Sequence, residues 1–126
     1  MAVQIGSQAN PANEWTYSAA ASGILNTTTA VTIKAAPAQA TLRNYITDLQ
    51  IMAEALGTAT ELAVRDGAGG TVLWRTKIPT AGNTAGWDVG FQTPLRGTPG
   101  NLLEVVTLTA SVTGAVYVNA QGFSAL

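Results

Sequence analysis

The sequence holds no cysteine and no histidine among its 126 residues. Without cysteine there is no disulfide framework, no thiolate zinc site and no cysteine nucleophile. Without histidine the commonest general base and the commonest transition-metal ligand are missing. Charge is scarce as well. Charged residues make up 10% of the chain, six Lys+Arg against seven Asp+Glu, for a formal net charge of −1. A nucleic-acid binder carries a basic stripe, and this balance excludes one. No apolar run approaches the roughly 20 residues of a membrane helix. The N-terminus has neither the basic start nor the apolar stretch of a secretory signal. The expectation is a chain made in a cytosol, with no nucleic-acid or membrane partner and no cofactor.

What remains is ordinary in apolar content, at 47%. At roughly 100–200 residues per domain this is one domain, large enough to hold a core without metal or disulfides. So few charges on so small a protein point to a surface that meets other protein, although Thr, Asn, Gln and Ser could also solvate it.

Residues 1–14 read as a polar N-terminal arm around Asn10-Pro11-Ala12-Asn13, and 15–126 as a β-sandwich domain. From Trp15 onward short strands alternate with Gly/Pro turns. Trp15 to Ala20 and Thr29 to Ala35 read as strands. Glu61 to Asp66 and Thr71 to Ile78 form a hairpin across Asp66-Gly67-Ala68-Gly69-Gly70. Trp87, Val89 and Phe91 alternate with Asp88 and Gly90, between loops at 79–86 and 94–100. Asn101 to Val112 is apolar on both faces over part of its length, as in a central strand or one at an oligomer contact. Ala115 to Phe123 closes the chain.

The segment from Thr41 to Leu56 is ambiguous. Leu42, Tyr45, Ile46, Leu49, Met52, Ala53 and Leu56 fit a helical stripe with Gly57 as its stop. A strand from Asn44 to Ala53 is preferred, because the neighbouring hairpin needs strands against which to bury its inner face. The expected fold is all-β, a single antiparallel jelly-roll-like sandwich of about eight strands. Its inner faces are expected to hold Val31, Ile33, Leu49, Ile51, Leu62, Val64, Val72, Trp74, Phe91, Val106, Leu108, Val116 and Val118.

Chemistry-bearing constellations are missing from the pattern. Asp48, Glu54, Glu61, Asp66, Asp88 and Glu104 stand singly, on polar faces or in turns, and read as solvated acids rather than a catalytic pair. A serine nucleophile would have only Lys34 or Lys77 as base, at no recognised spacing. The glycine cluster at 67–70 lacks the Lys and Ser/Thr of a phosphate loop and the acids of a calcium loop, so it is a turn. No catalytic, cofactor-binding or metal site is expected, and no enzyme. Aromatic and Arg side chains anchor interfaces. Trp15, Trp87, Arg75 and Arg96 are therefore the interface candidates, while Trp74 reads as core.

Tyr45-Ile46-Thr47-Asp48-Leu49-Gln50-Ile51, Ala59 to Gly67, Thr71-Val72-Leu73-Trp74-Arg75, Pro94-Leu95-Arg96-Gly97 and Val118 to Phe123 together resemble small β-sandwich virion proteins of tailed bacteriophages. The family resembled is that of capsid decoration (cement) proteins and related jelly-roll virion structural proteins, over residues 41–124. The resemblance implies a homotrimer on the capsid exterior, bound to the major capsid protein where coat subunits meet. It supports strand over helix at Asn44 to Ala53, and it supplies no functional residue to carry over. A receptor- or carbohydrate-binding module of a phage tail is the alternative, since exposed aromatics stack on sugar rings.

Overall fold

A computed structural model of the chain describes residues 13–25, 28–110 and 113–126, with Leu25 described in its backbone only. All but the last two residues of the expected arm lie outside the described set. Glu14 already belongs to the first strand.

Among the described residues nine strands form two antiparallel sheets: β1 (Glu14–Tyr17), β2 (Ile24–Leu25), β3 (Val31–Lys34), β4 (Arg43–Ala53), β5 (Thr60–Asp66), β6 (Thr71–Ile78), β7 (Asn83–Arg96), β8 (Leu103–Thr107) and β9 (Ala115–Ala125). One sheet runs β1-β9-β4-β7, with β2 also on β9; the other runs β3-β8-β5-β6. β1 pairs with Phe123 to Ala120 and β2 with Val116 and Ala115. The two lie end to end and act as one interrupted strand. Counted so, eight strand positions lie in two sheets of four. Apart from the β5–β6 hairpin, each successive strand crosses to the other sheet. That order is the double Greek key of a jelly roll.

Residues 43–53 are strand, and the helical stripe has a local cause. β4 carries a bulge at Thr47, where Ile46 pairs with Gly122 and Asp48 with Gln121. One extra residue reverses the inward parity. Ile46 points inward before the bulge, and Leu49 and Ile51 after it; all three are buried. The spacing from 46 to 49 is three, which imitates a helix.

The core consists of Ile33, Ile46, Leu49, Ile51, Leu62, Val64, Ile78, Leu103, Val105, Val116 and Val118 between the sheets, with Trp15 at one end. Trp15 lies over Gly122 of β9, its register partner. A Cβ at Gly122 would meet Trp15 Cζ2 at 2.6 Å and press on the Tyr45 carbonyl, so glycine is what admits the indole.

Three inner-face expectations are corrected. Leu103 and Val105 face the core; Val106 is buried outside it, and Leu108 is 38% exposed. The run Leu102-Leu103-Glu104-Val105-Val106 has no alternation from which parity could be read. Val72 is displaced by a second bulge, where Val64 pairs with Trp74 but Arg65 with Val72; Leu73 and Trp74 take the inward side.

Element lengths differ too. β8 spans only 103–107 of the expected 101–112 and is central, between β3 and β5. β7 runs from Asn83 to Arg96 and takes in 83–86 of the first expected loop and 94–96 of the second. Pro94 is tolerated there because β7 is an edge strand.

The end of the sandwich where β4 starts and β7 finishes is tied by a polar hub. Asn44 is fully buried. Its Nδ2 donates to the carbonyls of Ala35 (3.0 Å) and Asn101 (3.3 Å), and its Oδ1 accepts from the Ser124 hydroxyl at 2.6 Å. Asp66 accepts from the Thr98 amide and hydroxyl and from Asn101 Nδ2. Burial works to raise the Asp66 pKa. The Thr98 and Asn101 hydrogen bonds and the Arg43 charge outweigh it and hold the carboxyl below the ordinary Asp value.

Candidate partner-binding face

The sandwich has two outward faces, and strand alternation decides what each presents. On the β3-β8-β5-β6 sheet two outward ion pairs close within the chain, while Lys77, opposite Glu61 in register, forms no ion pair among the described residues. Glu104, whose side chain is 5% exposed, accepts from Arg65 Nε at 2.7 Å and from the Gly69 amide at 2.9 Å. Arg75 pairs with Glu61 at 3.1 Å in a more exposed position. Between these pairs Ala63 and Val106 are register partners and both are buried.

The outward face of the β1-β9-β4-β7 sheet is built differently. Its residues fall into rows across the strands. The first row is Glu14, Phe123, Tyr45 and Arg96, from β1 through β9 and β4 to β7. Next come Thr16, Gln121, Asp48 and Gly90, then Asn119, Gln50 and Asp88. Tyr117 and Met52 finish the series. The Tyr45 and Phe123 rings stack at 4.6 Å with their planes 10° apart, and the Tyr45 hydroxyl donates to the Leu126 main-chain oxygen at 2.7 Å. Asn119 Oδ1 accepts from the Ala19 amide. The side chains of Asp48, Gln50, Asp88, Gln121 and Arg96 have no partner among the described residues.

Three adjoining depressions run over this face. One of about 530 Å³ lies between Glu14, Thr47, Gln121 and Phe123. The second, of about 280 Å³, shares Thr16 and Gln121 with it. The third, of about 320 Å³, shares Gln50 and Asn119 with the second and ends at Trp87 and Asp88. Together they make a shallow trough. Its lining holds amide donors and acceptors, the Asp48 and Asp88 carboxylates and the Phe123 ring, with Tyr45 and Arg96 on the same face outside it.

The sequence-derived candidates scatter. Trp15 is 8% exposed and belongs to the core. Its indole fills the space above Gly122 and is not free for contact. Trp87 is half-buried and packs on the core beside Ile51, its register partner, with an edge at the third depression. Arg75 is on the opposite outward face, held by Glu61. Arg96 alone stands exposed on the trough face. Trp74 packs against the core and meets Phe91 edge-on at 6.0 Å.

Sequence reasoning put Asp48, Gln50, Asn119 and Gln121 on polar strand faces but did not bring them together. The missing fact was that β4 and β9 are neighbours in one sheet, a pairing across more than 60 residues that no local pattern encodes. Comparison with family models, with curated proteins and with solved structures finds no match to this chain.

Proposed function

We propose that this chain is a non-enzymatic structural protein of a tailed-phage virion. In this reading it is a capsid decoration or cement protein that binds as a homotrimer across major capsid protein subunits on the capsid exterior. The observation that carries the reading is the contrast between outward faces. A jelly roll that pairs the acids Glu61 and Glu104 of one face internally leaves Asp48 and Asp88 of the other free, beside amides and a stacked aromatic pair. Exposed amides beside a stacked Tyr and Phe in a shallow trough are groups that a protein partner can cover, the aromatic rings serving as anchors. The low charge of the chain and its resemblance to small virion sandwich proteins support the same reading.

The mechanism needs no bond-making residue. A full capsid pushes outward, and contacts between coat subunits open locally. A clamp that recognises a site made of several subunits binds only the assembled shell and stabilises it by mass action. Three linked copies multiply weak contacts through effective concentration. The test is to incubate the purified protein with capsids that lack it and to follow both cosedimentation and the temperature at which the shells release DNA. Saturable binding with a higher release temperature is expected; protein left wholly in the supernatant contradicts the reading.

A second reading has one observation in its favour, the amide- and carboxylate-lined trough that ends at Trp87. Such a lining suits a sugar, as in a receptor-binding module of a phage tail. Glycan-array binding that disappears in a folded Trp87→Ala variant would favour it over the capsid reading.

A further inference from the structure

The first row of the trough face has its two charges at opposite margins. Glu14 lies on β1 and Arg96 on β7, both exposed, with the stacked Phe123 and Tyr45 between them. Three inter-strand steps of about 4.8 Å separate them by about 14 Å. That exceeds the screening length of about 8 Å at physiological salt, so they do not satisfy each other within one chain. Among the described residues both strands are sheet edges: β1 pairs only with β9, and β7 only with β4. Open edges present unpaired backbone groups that proteins normally cover.

We propose that a second copy of this chain covers these edges, with Arg96 on β7 of one copy meeting Glu14 on β1 of the next. Charge complementarity favours this pairing. An acid at one margin of a row and a base at the other make the row complementary to its own repeat, and no other molecule is needed to pair them. Joining unlike margins is a heterologous contact, which closes into a ring when the rotation allows it. β1 and β7 also run in opposite senses, since three antiparallel pairings separate them, so the edges meet in the antiparallel sense.

The inference shares only the expectation of self-association with the capsid reading, and the two can fail separately. The experiment is sedimentation equilibrium on the whole chain for the wild type, Glu14→Arg, Arg96→Glu and the double reversal. Urea unfolding of each confirms that these exposed substitutions leave the fold intact. Oligomers are expected for the wild type, monomers for each single reversal, and oligomers again for the double. Rising salt should weaken assembly of the wild type and of the double reversal alike. A wild type that is monomeric at every concentration overturns the inference. So does assembly untouched by the single reversals, or one that the double reversal fails to restore. A chain that assembles in this way yet ignores capsids contradicts only the capsid reading.

Discussion

The two outward faces of the sandwich use the same kinds of side chain to opposite ends. On β5 and β8, Arg65, Glu104 and the Gly69 amide close on one another, and the Glu104 carboxylate has left solvent. On β4, β9 and β7, Asp48, Asp88, Gln50 and Gln121 stand in register rows and close on nothing among the described residues. A polar group whose partner is inside the chain contributes to folding. One whose partner is elsewhere contributes to binding. Substitution should therefore separate the faces by what is lost.

The largest expected effect falls on the paired face. Glu104→Ala leaves the Arg65 guanidinium and the Gly69 amide without their shared acceptor in a buried setting. Removing one member of a buried pair costs about 3–5 kcal/mol, to be read from the midpoint of urea unfolding. An effect no larger than that of an exposed pair would break the comparison.

Asp66 comes next. Asp66→Ala removes the acceptor of three hydrogen bonds that join the β5–β6 turn to the 97–101 segment, at about 1.5–3 kcal/mol. The lowered pKa also fixes a pH dependence. The folded value lies below the unfolded one, so the stabilisation is complete above the unfolded value of about 4. It is lost as pH falls from there through the folded value. Unfolding midpoints followed down from about pH 6 should show this loss in the wild type and lack that component in Asp66→Ala.

Arg75→Ala should cost only about 0.2–1 kcal/mol, because its pair with Glu61 is well exposed. The smallest effect on stability belongs to the trough. Asp48→Ala, Gln50→Ala and Asp88→Ala should each stay within about 0.5 kcal/mol of the wild type while weakening capsid binding. A trough variant that unfolds as readily as Glu104→Ala would remove the distinction between the faces.

The sandwich was readable in the sequence wherever alternation was uninterrupted. Leu62 and Val64 on β5 and the pair Val116 and Val118 on β9 are inward as expected. Reading failed where the chain inserts a residue or stops alternating. The bulge at Thr47 hid Ile46 from the core list, and the bulge after Val64 put Val72 there in place of Leu73. The apolar run of β8 allowed either parity, and the wrong one was Val106 and Leu108.

The candidate face on β4 and β9 is less readable for a different reason. Polar positions such as Gln50 and Asn119 were visible singly, yet their meeting depends on β4 lying beside β9. Tyr45 and Phe123 were not singled out as contact residues, because their stack is made by the same long-range pairing. Trp15 misled because its neighbours are polar; it is core only because Gly122 stands opposite. Asn44 and Glu104 are polar residues whose burial follows from partners on other strands.

On the proposed reading the free face of this sandwich meets an assembled shell. Cosedimentation of the purified chain with capsids lacking it, set beside the same mixture with dissociated coat subunits, decides whether it does. Saturable uptake by the intact shells and none by free subunits is the predicted result. Equal affinity for both, or uptake by neither, would contradict it.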